Sequence, residues 1–261
     1  MTLATTSSDE SSSTQSQKPA RSELISGLEA LKEQIRRARE NQLKRLYPDT
    51  GPLRRELYPK HIAFFKSGAD TMERAAIAAN RVGKTWGLGG YETALHLTGL
   101  YPEWWEGRRF ETPIDWWAAG DTGETTRDIV QLALLGPVGQ FGTGLVPADC
   151  IIGEPTRRSG VSGSVDTARI LHRPTGGTSY LAFKSYDQGR RKFQGTAKHG
   201  IWLDEEPPAP VYDECLLRLL TTNGLMLCTF TPMEGLSEVA LRFLPHMAPE
   251  PTELAQIGGS I

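Results

Sequence analysis

Cysteine is scarce in this chain: Cys150, Cys215 and Cys228 stand far apart, with no C-x-x-C spacing. That spacing argues against a disulfide framework and a zinc site, and it fits buried thiols in a reducing compartment. Long apolar runs are missing too. No stretch approaches the roughly 20 residues that a bilayer-spanning helix needs. The N-terminus also lacks the basic-then-apolar layout of a signal peptide. Charge of one sign does not dominate, the formal net charge being −2 over 261 residues. The whole molecule is therefore not a basic coat for nucleic acid, although a local basic patch stays open. These absences predict a soluble intracellular protein with no membrane partner. The 38% hydrophobic and 23% charged content is that of an ordinary globular chain, long enough for one large α/β domain or two small ones.

Composition changes along the chain. Residues 1–21 are rich in Ser, Thr and Gln and nearly devoid of large apolar side chains. They cannot bury enough surface to offset their ordering entropy, so a disordered tail is predicted. From Ser22 to about Leu46, the residues Leu24, Leu28, Leu31, Ile35 and Ala38 recur at three- and four-residue steps, the mark of an amphipathic helix. Pro48, Gly51 and Pro52 stop it. Its basic residues Arg36, Arg37, Arg39, Lys44 and Arg45 read either as a solvated helix face or as a nucleic-acid contact. Residues 22–57 are thus an N-terminal helical segment, 58–250 the main domain, and 251–261 a linker or truncated C-terminus. Within the main domain, apolar runs at 74–79, 114–119, 180–186, 200–204 and 225–231 suit buried strands, while 86–97 and 125–135 suit helices. Residues 136–177, dense in Gly, Ser, Thr and Pro, have no assignable pattern. Strands alternating with helices predict an α/β fold with a mostly parallel sheet covered on both faces.

The chemistry gathers at three strand ends. Ala78-Ala79-Asn80-Arg81-Val82-Gly83-Lys84-Thr85 follows a predicted strand and precedes a predicted helix. A loop in that setting offers backbone N–H groups and a helix N-terminus to a phosphate. Gly83 permits close approach, Lys84 can reach the β- and γ-phosphates, and Thr85 can ligate Mg²⁺. Ala78 stands where such loops usually begin with glycine, so the motif alone is weak. The run His199–Glu206 strengthens it: an apolar strand ending in carboxylates, with Asp204 as the Mg²⁺-associated acid and Glu205 as the base for an attacking water. Asp204 is expected on a strand next to the loop's own. Glu206 is expected to face solvent ahead of Pro207–Pro208, which read as helix breakers. Leu225–Thr231 adds a third strand whose tip, Thr229-Phe230-Thr231-Pro232, would lie beside the acidic one. Nothing matches the guanine-reading N/T-K-x-D, which favours ATP.

In this order, Ala78–Thr85, Trp202–Glu206 and Thr229–Pro232 resemble the motifs of the large terminase subunit of tailed bacteriophages. Gly99–Gly107 (GLYPEWWEG), Ser185–Asp187 and Phe193–Gly195 add to the likeness, which covers roughly Tyr58 to Phe243. The resemblance implies an ASCE-type P-loop NTPase fold and Mg²⁺-dependent ATP hydrolysis that drives viral DNA into proheads. It implies Lys84 and Thr85 as ligands of nucleotide and Mg²⁺, Asp204 as the metal-associated carboxylate and Glu205 as catalytic base. Thr229 and Thr231 take the coupling role, and Tyr58 and His61 lie where adenine is contacted. Arg81 is the arginine for the γ-phosphate, or else a brace that holds the loop by a salt bridge. Expected partners are double-stranded DNA, a small terminase subunit, the portal of the prohead and further copies in a ring. The expected location is the host bacterial cytoplasm, outside the mature virion. The tail Pro249–Ile261 offers only Glu250 and Glu253, so no nuclease activity is expected of this polypeptide. A helicase-like DNA-dependent ATPase and a non-hydrolysing nucleotide-binding assembly module are the alternatives.

Overall fold

The computed structural model describes residues 25–29, 42–233, 235 and 237–245. Two units are distinguished, Met1–Ala38 and Arg39–Ile261. In the first, residues 25–29 are helical with Ile25 and Leu28 exposed. The predicted tail 1–21, most of the predicted N-terminal helix and the segment 251–261 lie outside the described residues.

The second unit is built on seven strands: β1 (Glu73–Ile77), β2 (Asp115–Gly120), β3 (Thr156–Arg157), β4 (Val165–His172), β5 (Gly177–Ser185), β6 (Gly200–Asp204) and β7 (Leu225–Phe230). Their order is β1-β7-β6-β2-β5-β4-β3. The first five are mutually parallel, β4 runs antiparallel to β5, and β3 runs antiparallel to β4. One feature corrects the expected neighbour relation of the loop strand and the acidic strand. β7 is inserted between β1 and β6, so the two motifs meet across a third strand.

Helices cover the parallel part on both faces. α1 (Pro59–Ser67) and α2 (Tyr91–Thr98) lie on one side, together with α3 (Leu132–Leu135). Phe65, Leu95, Leu97, Leu134 and Leu135 from these helices bury against Trp116, Trp202, Leu225 and Leu227 of the sheet. On the opposite face α4 (Ala209–Leu219) and α5 (Glu238–Phe243) bring Val211, Tyr212, Cys215, Leu219, Val239 and Ala240 against Trp117, Ile201, Leu203, Met226 and Cys228. Leu43 and Tyr47 are buried in the first of these cores, so residues 42–47 pack as part of the main body. Among the described residues, no helix is long and apolar enough to cross a membrane.

Five labelled elements, α1, β3, β4, α4 and α5, escape the sequence reading, and β4 and α4 show why. β4 lies within 136–177 and alternates buried and exposed residues, as a strand half covered by the core does; the surrounding glycines hid that period. α4 begins directly after Pro207–Pro208, so those prolines start a helix instead of ending one. Proline is compatible with a first helical turn because the N–H it lacks would have no partner there.

The helix after the phosphate loop is wide at its start. Residues Lys84–Gly90 are π-helical before α2 begins. A Cβ on Gly89 would lie 2.1 Å from Trp202 Nε1, so only glycine lets this turn rest directly on β6. The same helix is tied to β1 by charge. Arg74 donates to both Glu92 carboxylate oxygens at 2.6 and 3.2 Å, and both residues are buried. His96 Nε2 lies 3.1 Å from Glu92, and His96 Nδ1 lies 2.8 Å from the Tyr101 hydroxyl.

Candidate active site

Backbone geometry shapes the loop before any side chain acts. After β1 the chain crosses into the left-handed region at Arg81 (φ 66°) and at Gly83 (φ 84°), then enters the helix at Lys84. Such alternation turns successive N–H groups toward one concavity, an arrangement that suits an anion. The Ala78 N–H donates to Phe230 O of β7, which fixes the loop to that strand.

Lys84 is buried and folds back over the loop. Its ammonium donates to Ala78 O at 2.9 Å, Ala79 O at 2.8 Å and Thr231 Oγ1 at 2.7 Å. Those contacts use all three donors of the group. Thr231 Oγ1 also lies 2.9 Å from Ala78 O and 2.8 Å from Asn80 Oδ1, its available acceptors. The tip of β7 is thereby bonded to both ends of the loop.

Thr85 faces the acid. Its hydroxyl donates toward Asp204 at 3.1 and 3.3 Å, and Thr229 donates to Asp204 Oδ1 at 2.7 Å. Trp202 Nε1 donates to Thr229 Oγ1 at 2.8 Å, completing a buried line of hydrogen bonds that orients the carboxylate. Burial pushes the Asp204 pKa up to about 7; the Glu205 charge adds to the rise, while hydrogen bonds from Thr229 and Thr85 oppose it. An acid this reluctant to ionise alone is suited to a cation. A carboxylate beside a hydroxyl is an all-oxygen donor set, as Mg²⁺ prefers when substrate phosphates and water complete its shell. The residues present therefore fit Mg²⁺, with Thr85 and Asp204 as its protein partners.

Glu205 stands differently. It is exposed, with φ 61°, and its N–H donates to Thr229 O at 3.0 Å. A non-glycine residue in the left-handed region is held there by its surroundings, and such positions cluster at functional sites. The surroundings here include Tyr186, whose buried hydroxyl lies 3.0 Å from Asp204 O and 3.1 Å from Glu205 O. Glu205 opens into a cleft of about 620 Å³ that also contains Asp121, Thr231, Met233 and Ser237. Glu206 does not face solvent as expected. It is half-buried and accepts a hydrogen bond from Ser237, the residue that caps α5.

Of the remaining expected residues, Ala79, Asn80, Arg81 and Val82 are exposed at the loop, and Arg81 makes no salt bridge among the described residues. His61 is brought against the loop: it hydrogen-bonds the Val82 backbone, and its Nδ1 lies 2.6 Å from the Tyr47 hydroxyl. That hydroxyl is also 2.6 Å from Gly87 O. Burial lowers the His61 pKa. Tyr58 packs edge-on against Tyr47, with ring centroids 5.6 Å apart. Tyr47 is a site residue that sequence reasoning passed over, and Tyr186 and Trp202, though inside quoted motifs, were given no role of their own. Each acts by a long-range hydrogen bond that no local spacing announces. The aromatic run at 99–107 proves structural: Trp105 is buried and donates to Arg108 O, and Gly99 (φ 70°) ends α2.

A family model described as "Terminase large subunit, T4likevirus-type, N-terminal" matches residues 76–254. The chain belongs to the terminase large subunit family. All three motif strands of this terminase chain, from β1 to β7, lie within or at the edge of the matched stretch. The large subunit of the terminase of Salmonella phage P22 is 35% identical over 208 residues, covering 72% of this chain and 41% of that protein. The chain thus spans about 41% of the length of this curated relative. Among solved structures, the large terminase ATPase domain of Thermus phage P74-26 is similar with a TM-score of 0.44 at 18% identity, covering 65% of this chain and 63% of the other. An ADP complex of a large terminase from a thermophilic bacteriophage gives a TM-score of 0.47 at 14% identity, covering 66% and 37%.

Proposed function

We propose that this terminase chain binds ATP with Mg²⁺ at Ala78–Thr85, hydrolyses it, and uses the cycle to drive viral DNA into proheads. The observation that carries this reading is the meeting of three strand ends: Lys84 bonded to Thr231 of the β7 tip, and Thr85 bonded to Asp204 of β6. The loop amides and Lys84 hold the β- and γ-phosphates, and binding requires Lys84 to give up at least one of its present acceptors. Thr85 and Asp204 hold Mg²⁺, which supplies neutralisation of charge developing on the phosphate oxygens. Glu205 accepts the proton of the attacking water. Arg81, exposed and without a salt bridge among the described residues, stabilises the γ-phosphate in cis. Exchange of Lys84 between Thr231 and phosphate is the coupling step, since it loosens β7 from the loop. Tyr58 and His61 border the adenine side.

Family membership supports a wider reading in which double-stranded DNA is the cargo, a small terminase subunit and the portal of the prohead are partners, copies act in a ring, and the work is done in the host cytoplasm. No nuclease step is assigned to these residues.

Steady-state ATPase measurements with duplex DNA and Mg²⁺ test the proposal. Lys84→Ala should abolish turnover, and Glu205→Gln should lower it by roughly 10²-fold or more while ATP binding persists. Unchanged turnover in both variants would sink the assignment. Tight ATP binding by the wild-type chain with no turnover, even with DNA and partner present, would leave a non-hydrolysing assembly module in its place.

A further inference from the structure

The antiparallel end of the sheet is covered on one face only. Along β5, Ser179, Leu181, Phe183 and Ser185 are buried, while Tyr180 is exposed and Thr178, Ala182 and Lys184 are partly exposed. On β4, pairing sets Thr167 opposite Ala182 and Arg169 opposite Tyr180. Directly paired residues share a face, so Arg169, Tyr180 and Lys184 stand on the side that α4 and α5 leave open.

That face is basic. Lys184 Nζ lies 5.2 Å from the Trp117 ring centroid and Lys198 Nζ lies 5.4 Å from it, so one buried indole is flanked by two ammonium groups. Arg158, Lys192 and Lys198 are near enough to Lys184 to oppose its protonation, an effect that burial begins and Asp166 partly offsets. Two acids neutralise part of the cluster: Asp166 lies 3.6 Å from Arg158, and Asp115 lies 3.8 Å from Lys198. Lys184, Lys192 and Arg169 form no salt bridge among the described residues. Holding like charges together on a surface is unfavourable unless an anion is meant to meet them.

We propose that this open face, with Arg169, Lys184 and Lys192 reaching solvent and Arg158 and Lys198 largely buried behind them, is the surface on which the chain carries the sugar–phosphate backbone of duplex DNA. The proposal rests on the motor reading above and gives its cargo a place. Arg169 on β4 pairs with Tyr180, four residues along β5 from Lys184, so these two cations stand about 14 Å apart at roughly 3.3 Å per residue and 4.8 Å per strand. A duplex strand presents a phosphate about every 3.4 Å of helix axis, so several phosphates fall within that width. The surface presents one exposed aromatic ring, Tyr180. It has no reading helix to enter a groove, which suits contact without sequence preference.

Fluorescence anisotropy with a labelled duplex of about 30 base pairs, titrated at several salt concentrations, tests the surface without requiring turnover. The triple variant Arg169→Glu, Lys184→Glu, Lys192→Glu should weaken binding the most. Arg169→Glu with Lys192→Glu changes only exposed residues and keeps the test alive if the triple variant unfolds. For that pair we expect at least a tenfold loss of affinity at about 0.1 M salt, and a salt slope reduced by about 2. Basal ATP hydrolysis and thermal unfolding should stay as in wild type. A folded pair with wild-type affinity and slope would overturn the proposal, as would a wild-type chain that binds duplex with no salt dependence. Wild-type protein that binds duplex on this face but never turns over ATP would instead overturn the motor reading and leave the surface standing.

Discussion

Asp204 sits where water barely reaches it, 3% exposed and bonded to two threonine hydroxyls. Burial is the main cause that raises its pKa from the ordinary 3.8 to about 7 in the fold. Between those values the folded chain binds a proton that the unfolded chain does not. Stability of the nucleotide-free protein should therefore fall as pH rises from about 4 to about 7, then level off. Asp204→Asn should flatten that profile and stabilise the free protein at about pH 8, by an amount on the order of a few kcal/mol. Affinity for Mg²⁺-nucleotide should run the opposite way, rising with pH because the carboxylate is the binding form. Urea unfolding at several pH values checks the first effect, and titration with a Mg²⁺-nucleotide the second. A pH profile identical in Asp204→Asn and wild type would mean that another group governs it.

Between elements, the Arg74–Glu92 pair joins β1 to α2. Both side chains are buried, 4% and 0% exposed, so neither charge can be screened if the other is removed. Burial resists ionisation of Glu92, yet Arg74 and His96 together keep its carboxyl below the usual range. Glu92→Ala should cost about 3–5 kcal/mol, because it strands a guanidinium in the core. Replacing both partners by Arg74→Met with Glu92→Leu should cost much less, as a well-packed apolar pair can equal a buried ion pair. Chemical denaturation of the two variants decides this, and equal losses would mean the pair is not a coupled unit. The comparison also separates what the sequence could disclose from what it could not. The strand ends at Ala78, Asp204 and Thr229 were legible because each joins an apolar run to a functional side chain within a few residues. Arg74–Glu92, Tyr47–Gly87 and Tyr186–Glu205 were not, since those contacts span 18, 40 and 19 residues and depend on sheet order. β4 was hidden for a different reason: its alternation is real but short, and the turns around it are dense in glycine.

At the scale of the molecule the formal net charge is −2, so any grip on duplex DNA must come from how charge is distributed. Acids gather at the cleft beside the phosphate loop, where Asp121, Glu205, Glu206 and Glu238 line one opening. Cations gather on the open face of β4 and β5. A second basic stretch competes for the same role, because Lys44 and Arg45 lie exposed on the short helix Gln42–Arg45. The two locations differ in backing. Arg169 stands on strand β4 and Lys184 is held against Trp117 from β5, whereas Lys44 and Arg45 extend from a four-residue helix. Preordered cations lose less side-chain entropy on meeting phosphate, so each should add more to affinity. Lys44→Glu with Arg45→Glu changes the total charge by the same four units as Arg169→Glu with Lys192→Glu. If net charge governed binding, the two pairs would weaken duplex affinity equally. If location governs it, the Lys44/Arg45 pair should stay within about threefold of wild type, while the open-face pair loses at least tenfold and flattens the salt dependence. Parallel salt titrations of the two proteins distinguish these outcomes, and a larger loss from the Lys44/Arg45 pair would move the DNA track to the N-terminal helix.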